Sequence, residues 1–114
     1  VGVHLVRHGC AGDKHDWPGP DAERPLDAAG VAQAQALADL LADRPIRRLL
    51  SSPTARCRQT VEPLAHRLGL PVEDHDALRP DATRAELDGL LAEVRAAAPA
   101  DGADVVLCTH GELM

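Results

Sequence analysis

Three short apolar runs, Val3–Arg7, Arg47–Ser51 and Asp104–Thr109, alternate along the chain with stretches of helical periodicity. The runs are Leu-rich or β-branched and stop at turn-like residues, so they read as buried strands. The first helical stretch spans about Asp27 to Asp43, with Asp27 as N-cap and Ala34, Leu37, Ala38 and Leu41 on one face. The second opens at Ser52-Pro53, a cap followed by a first-turn proline. Its apolar side carries Val61, Leu64, Ala65 and Leu68, and Gly69 is its natural stop. Pro63 falls inside it, and a kink or a break into two helices is expected there. The third opens on Thr83-Arg84-Ala85-Glu86, a capping-box pattern, ahead of the stripe Leu87, Leu90, Leu91 and Val94. This alternation implies an α/β fold, a three-layer sandwich with a mostly parallel central sheet flanked by helices. Gly12 to Pro25, rich in proline and glycine, reads as the longest loop, and Ala96–Ala103 as a helix end and loop.

At 114 residues the chain suits one domain, covering residues 1–114. It opens without an initiator Met and stops at His110-Gly111-Glu112-Leu113-Met114, so a longer natural protein, truncated here at the C-terminus, is expected. Trp17 is the sole aromatic, so the core must be aliphatic. A net charge of −6 argues against nucleic acid as a partner. It leaves room for a small anionic substrate, because a pocket can be locally positive on an acidic protein. No apolar run approaches the ~20 residues of a membrane span, so no membrane partner is expected. Cys10, Cys57 and Cys108 are odd in number and lack metal-type spacing, which suits spare thiols in a reduced, cytoplasmic setting.

The chemistry gathers where the strands end. Val3–Val6 runs into Arg7-His8-Gly9, Arg48–Leu50 into Ser51-Ser52-Pro53-Thr54-Ala55-Arg56, and Val105–Cys108 into Thr109-His110-Gly111. Ligands of open α/β sheets bind at the carboxyl ends of the strands. If the strands are parallel neighbours, Arg7, His8, Arg56 and His110 converge. Two guanidiniums and two imidazoles in one place call for an anion, and arginine forks match phosphate oxygens. The helix start at Ser52-Pro53 would add backbone N–H groups, and Gly9 and Gly111 would let the backbone come close. Histidine is the nucleophile of choice here, since a pKa of about 6.5 leaves a neutral ring nitrogen near neutral pH. Each piece alone is weak; the three together are not.

With those residues in view, the sequence resembles the histidine phosphatase superfamily, also called phosphoglycerate-mutase-like. The likeness rests on Leu5-Val6-Arg7-His8-Gly9, on Arg24-Pro25-Leu26-Asp27-Ala28-Ala29-Gly30, on Ser51 to Thr60, and on Thr109-His110-Gly111. It implies that His8 is the phospho-acceptor, and that Arg7, Arg56 and His110 form the phosphate pocket. Motif spacing is closest to the small SixA-type phosphohistidine phosphatases. The segment Gly12–Asp21 followed by Arg24-Pro25-Leu26-Asp27 is similar to the phosphatase domain attached to some actinobacterial MutT-type Nudix hydrolases, which act on nucleotides.

Many family members carry a proton-donating glutamate after the third strand. Here that region reads His75-Asp76-Ala77-Leu78-Arg79-Pro80-Asp81. Its absence suits good leaving groups, phosphohistidine or a nucleotide, over sugar and alkyl phosphates. Asp13, Asp81 and Glu112 are the candidate substitutes, each also readable as a solvated carboxylate. Trp17, in the loop after His8, would either stack on a nucleobase or plug its own loop. The densest ligand-type group, Asp13-Lys14-His15-Asp16, lacks metal spacing, so neither metal nor cofactor is expected. The expected activity is a two-step hydrolysis through phosphorylated His8, acting on a small phosphorylated substrate or a phosphohistidine protein. Substrate contacts would come from Arg7, Gly9, Ser52, Arg56, Gly111 and Trp17. The rivals are a mutase, a phosphate-binding regulatory module without turnover, and the phosphatase domain of a larger Nudix-type hydrolase.

Overall fold

The computed structural model describes residues 3–12, 17–96 and 104–110. Four strands and three helices alternate: β1 (Val3–Arg7), α1 (Ala28–Leu41), β2 (Ile46–Ser51), α2 (Ala55–Leu68), β3 (Val72–Asp74), α3 (Arg84–Ala96) and β4 (Asp104–Thr109). Short 3-10 turns sit at Asp21–Glu23 and Asp76–Leu78. All pairings are parallel and the strand order is β1-β4-β2-β3. The steps β1 to β2 and β2 to β3 run one way across the sheet, and β3 to β4 runs back. Parallel crossovers share one hand, so α1 and α2 fall on one face and α3 on the other.

Two aliphatic cores result, one on each face of the sheet. Ala38, Leu41, Leu49, Val61, Leu64, Val106 and Cys108 fill the α1–α2 side, while Leu50, Leu78, Leu87, Leu90, Val94, Val105 and Leu107 fill the α3 side. Leu49 and Leu50, and Val105 through Cys108, point alternately to the two faces, as the period of two along a strand requires. Leu49, Leu64 and Leu107 are wholly buried, and burial of each such side chain is worth about 1.5–3 kcal/mol. This is the α/β sandwich expected from the sequence.

The caps follow local chemistry. The Asp27 carboxylate accepts from the Gly30 N–H at 2.8 Å and opens α1. Gly69, at φ 67°, closes α2 in the left-handed region that glycine enters without a Cβ clash. Thr83 Oγ1 accepts the Glu86 N–H at 3.1 Å at the start of α3.

Three expectations change. The second helix begins at Ala55 behind Thr54 rather than at Ser52-Pro53. Ser52 extends the strand instead, its N–H donating to the Cys108 carbonyl at 3.0 Å. Helix α2 also runs unbroken through Pro63. Proline removes one donor there, while buried Val61 before it and buried Leu64 and Ala65 after it hold the register. Finally, β3 is a fourth strand of three residues, paired from Leu49↔Val72 to Ser51↔Asp74.

Candidate active site

The register of three adjacent strands brings the polar clusters together. Arg7 pairs with Thr109 and Ser51 with Cys108, so β1, β4 and β2 end at one level. The His8 N–H continues the ladder, donating to the Thr109 carbonyl at 3.1 Å. At that edge the His8 and His110 rings meet edge to face, centroids 5.2 Å apart.

His8 is locked in one tautomer. Its Nδ1 lies 2.7 Å from the Gly9 carbonyl. A carbonyl only accepts, so Nδ1 carries the hydrogen and the neutral ring keeps its lone pair on Nε2. Desolvation pulls the His8 pKa below 6.5, with His110 and Arg56 pulling the same way against the Gly9 hydrogen bond and the Cys57 sulfur. The net shift favours the neutral ring.

His110 is 1% exposed. Its Nε2 lies 3.0 Å from Ser52 Oγ, with Thr54 Oγ1 at 3.5 Å and Cys57 Sγ at 3.6 Å. Its Nδ1 faces Arg56 Nη2 at 3.5 Å. A guanidinium only donates, so in the neutral ring Nδ1 accepts and Nε2 carries the hydrogen. Cys57 accepts hydrogen bonds from Cys108, then, against its burial, from His110 and Thr54, and these pull its thiol down in pKa; that of Cys108 is pushed up. Arg56, on the first turn of α2, is buried at 3% exposure. Its Nη1 donates to the Asp21 carbonyl at 2.9 Å and its Nη2 to Asp21 Oδ2 at 3.1 Å. Its Nε is buried and meets no acceptor among the described residues.

The loop after His8 is pinned to the helices. The Gly9 N–H donates to Thr60 Oγ1 at 3.0 Å and the Cys10 N–H to Gln33 Oε1 at 2.8 Å. Gly30 lets this loop lie against α1, since a Cβ there would come within 2.0 Å of the Cys10 carbonyl oxygen. Arg24 Nη1 donates to the carbonyls of Ala11 and Gly12 at 3.0 and 2.8 Å.

His8, Gly9, Ser52, Arg56 and His110 thus come together. Arg7 is exposed at the end of β1 and lines the same cavity as His8, Arg24 and Gln33. Trp17 turns to its own loop, its Nε1 donating to the Pro20 carbonyl at 2.9 Å and its ring lying over Gly19. Asp81 is exposed in a smaller cavity beside Asp21, Thr54 and Arg79. Gly111, Asp13 and Glu112 lie outside the described residues, as do Lys14-His15-Asp16 and most of Ala96–Ala103. Asp21, Thr60 and Gln33 carry site contacts that sequence reasoning missed. Their partners lie 35, 51 and 23 residues away, so no local pattern marks them. No group of three potential metal ligands occurs among the described residues. No described helix is long and apolar enough to cross a membrane.

Residues 3–101 match the histidine phosphatase superfamily (branch 1). The chain belongs to this superfamily. Among solved structures, this histidine phosphatase chain is 33% identical to SixA from Agrobacterium tumefaciens, with a TM-score of 0.78 over 98% of this chain and 70% of that one. It is 30% identical to the protein histidine phosphatase SixA complexed with tungstate, with a TM-score of 0.77 over 97% of this chain and 70% of that one. Among curated proteins it is 35% identical over 112 residues to the 8-oxo-(d)GTP phosphatase of Mycolicibacterium smegmatis, covering 98% of this chain and 34% of that protein. The chain spans about a third to a half of the curated relatives it matches.

Proposed function

We propose that this chain is a metal-independent phosphatase working through a phosphohistidine at His8. One observation carries the reading: the His8 Nδ1–Gly9 bond leaves the Nε2 lone pair free beside a buried arginine and a buried histidine. In the first step Nε2 attacks phosphorus in line. The P–N bond forms as the bond to the leaving group breaks, and the leaving group takes up a proton. In the second step water attacks the same phosphorus, the P–N bond breaks, and inorganic phosphate departs. Arg7, Arg56 and His110 stabilise the oxygens of the transferring group, where phosphoryl-transfer catalysis does most of its work. Gly9 and Ser52 complete the pocket, together with the uncapped start of α2.

The substrate is a phosphohistidine or a nucleotide. Between β3 and Asp81 no glutamate is present to protonate a poor leaving group, and both classes leave readily. A 30%-identical relative forms a complex with tungstate, which supports oxyanion binding by this chain. A second reading, the phosphatase domain of a longer nucleotide hydrolase, is favoured by the alignment of almost all of this chain with a third of an 8-oxo-(d)GTP phosphatase. The bond from Trp17 Nε1 to the Pro20 carbonyl favours a plug of its own loop over stacking on a base. Trp17→Ala is expected to leave nucleotide KM within about twofold, because loss of a stacked base would weaken binding by ~1–3 kcal/mol.

The test is phosphate release by protein expressed from the complete reading frame, with His8→Ala alongside. The panel is a phosphohistidine peptide, nucleoside di- and triphosphates, 8-oxo-dGTP and an aryl phosphate. Turnover lost in the variant supports the mechanism, and the preferred substrate chooses between the readings. Equal background in both folded proteins would leave a phosphate-binding module.

A further inference from the structure

Arg56 is one of the few charged side chains buried in the described fold, and one residue takes two of its three nitrogens. The Asp21 carbonyl accepts from Nη1 and Asp21 Oδ2 accepts from Nη2. The other carboxylate oxygen, Oδ1, accepts from Arg24 Nε at 3.2 Å. Arg24 in turn holds the carbonyls of Ala11 and Gly12, just beyond the His8 loop. A half-exposed carboxylate therefore links the arginine of the phosphate pocket to the loop that carries the nucleophile.

A guanidinium offers two forks, one at its end (Nη1 and Nη2) and one at its side (Nε and Nη2). Asp21 occupies the terminal nitrogens. The Nε–H remains buried and without an acceptor among the described residues, and Nη2 on the same side faces His110. An orphaned buried donor is uncommon, because its desolvation goes uncompensated.

We propose that Asp21 is a positioning residue of the transfer site, holding the end fork of Arg56 so that its unpartnered Nε–H is aimed at the phosphoryl group. The proposal rests on the phosphatase reading above. Asp21 touches Arg56 and not the substrate. Its negative charge opposes a phosphate dianion, so it contributes nothing to ground-state binding; it acts on the orientation of the fork in the transition state.

The consequence is a split between rate and binding. In Asp21→Ala, kcat is expected to fall about tenfold or more, as misdirected catalytic groups do. The dissociation constant of inorganic phosphate, measured by calorimetry, is expected to stay the same or decrease. Asp21→Asn keeps one acceptor oxygen and is expected to recover part of the lost kcat. Wild type and His8→Ala are assayed in parallel, and circular dichroism verifies each fold. Unchanged kcat in Asp21→Ala, beside a wild type that loses turnover in His8→Ala, overturns the positioning role and leaves the phosphatase reading intact. A parallel loss of kcat and phosphate affinity assigns Asp21 a merely structural role and also overturns it. An Asp21→Asn variant as impaired as Asp21→Ala indicates proton transfer by the carboxylate and counts equally against it. A wild type no better than His8→Ala removes the phosphatase reading and this proposal with it.

Discussion

A buried arginine whose Nε–H meets no acceptor among the described residues is a point of high sensitivity. Arg56→Ala is expected to lower kcat by on the order of 10²–10³, as for other preorganised charge-stabilising groups. Arg56→Lys is expected to rescue little, because an ammonium cannot reproduce a planar fork. Steady-state assays of the two variants check this, and a loss under about threefold would remove Arg56 from the pocket. The pH profile follows from His8. Burial lowers its pKa, so in the proposed mechanism the attacking ring is favoured unprotonated below the ordinary value of 6.5. Activity falls only as pH drops through that lowered pKa. The acid limb of kcat/KM is therefore expected below 6.5; a limb at or above that value contradicts a desolvated His8. His8, Arg56 and His110 were legible in the sequence because each stands directly after a strand or on the helix that follows one. Asp21 was not: its loop has no period, and only the fold brings it to an arginine 35 residues away.

Elements were legible where periodicity was strong. Strands β1 and β4 match the apolar runs that mark them, and α1 sits on the face named from its alanines and leucines. Strand β3 was not legible, because Val72-Glu73-Asp74 carries one apolar residue and owes its extended form to pairing with β2. The start of α2 was misplaced for a similar reason: Ser52 looks like a cap, but its hydroxyl is committed to His110 at 3.0 Å. Packing between elements yields a paired prediction. Gly30→Ala drives a Cβ into the Cys10 carbonyl, so the His8 loop must shift, and both thermal midpoint and kcat are expected to drop. Gly89→Ala, in α3 with open space around it, is expected to stabilise by about 0.5–1 kcal/mol. Melting curves of the two purified variants separate the cases, and equal midpoints would show that the loop does not lie against α1 as described.

On the scale of the molecule, a net charge of −6 coexists with an active edge built from arginine and histidine. An acidic protein can still carry a locally positive pocket, so the net charge is compatible with the small anionic substrate proposed. In the proposed mechanism Arg7 and Arg56 meet the charge that a metal would neutralise, so turnover in EDTA is expected to equal turnover without it. Loss of more than half the activity on chelation, restored by one divalent cation, would refute metal independence.

The strand order also sets when the site comes into being. Strand β4 lies between β1 and β2, which are not hydrogen-bonded to each other, yet it is the last of the four to leave the ribosome. Until then His8, just after β1, and Arg56, on the first turn of α2 behind β2, have no strand between them. His8 and Arg56 are thus brought together by the fourth of these strands, and a chain synthesised only as far as β3 carries both residues without the edge that unites them.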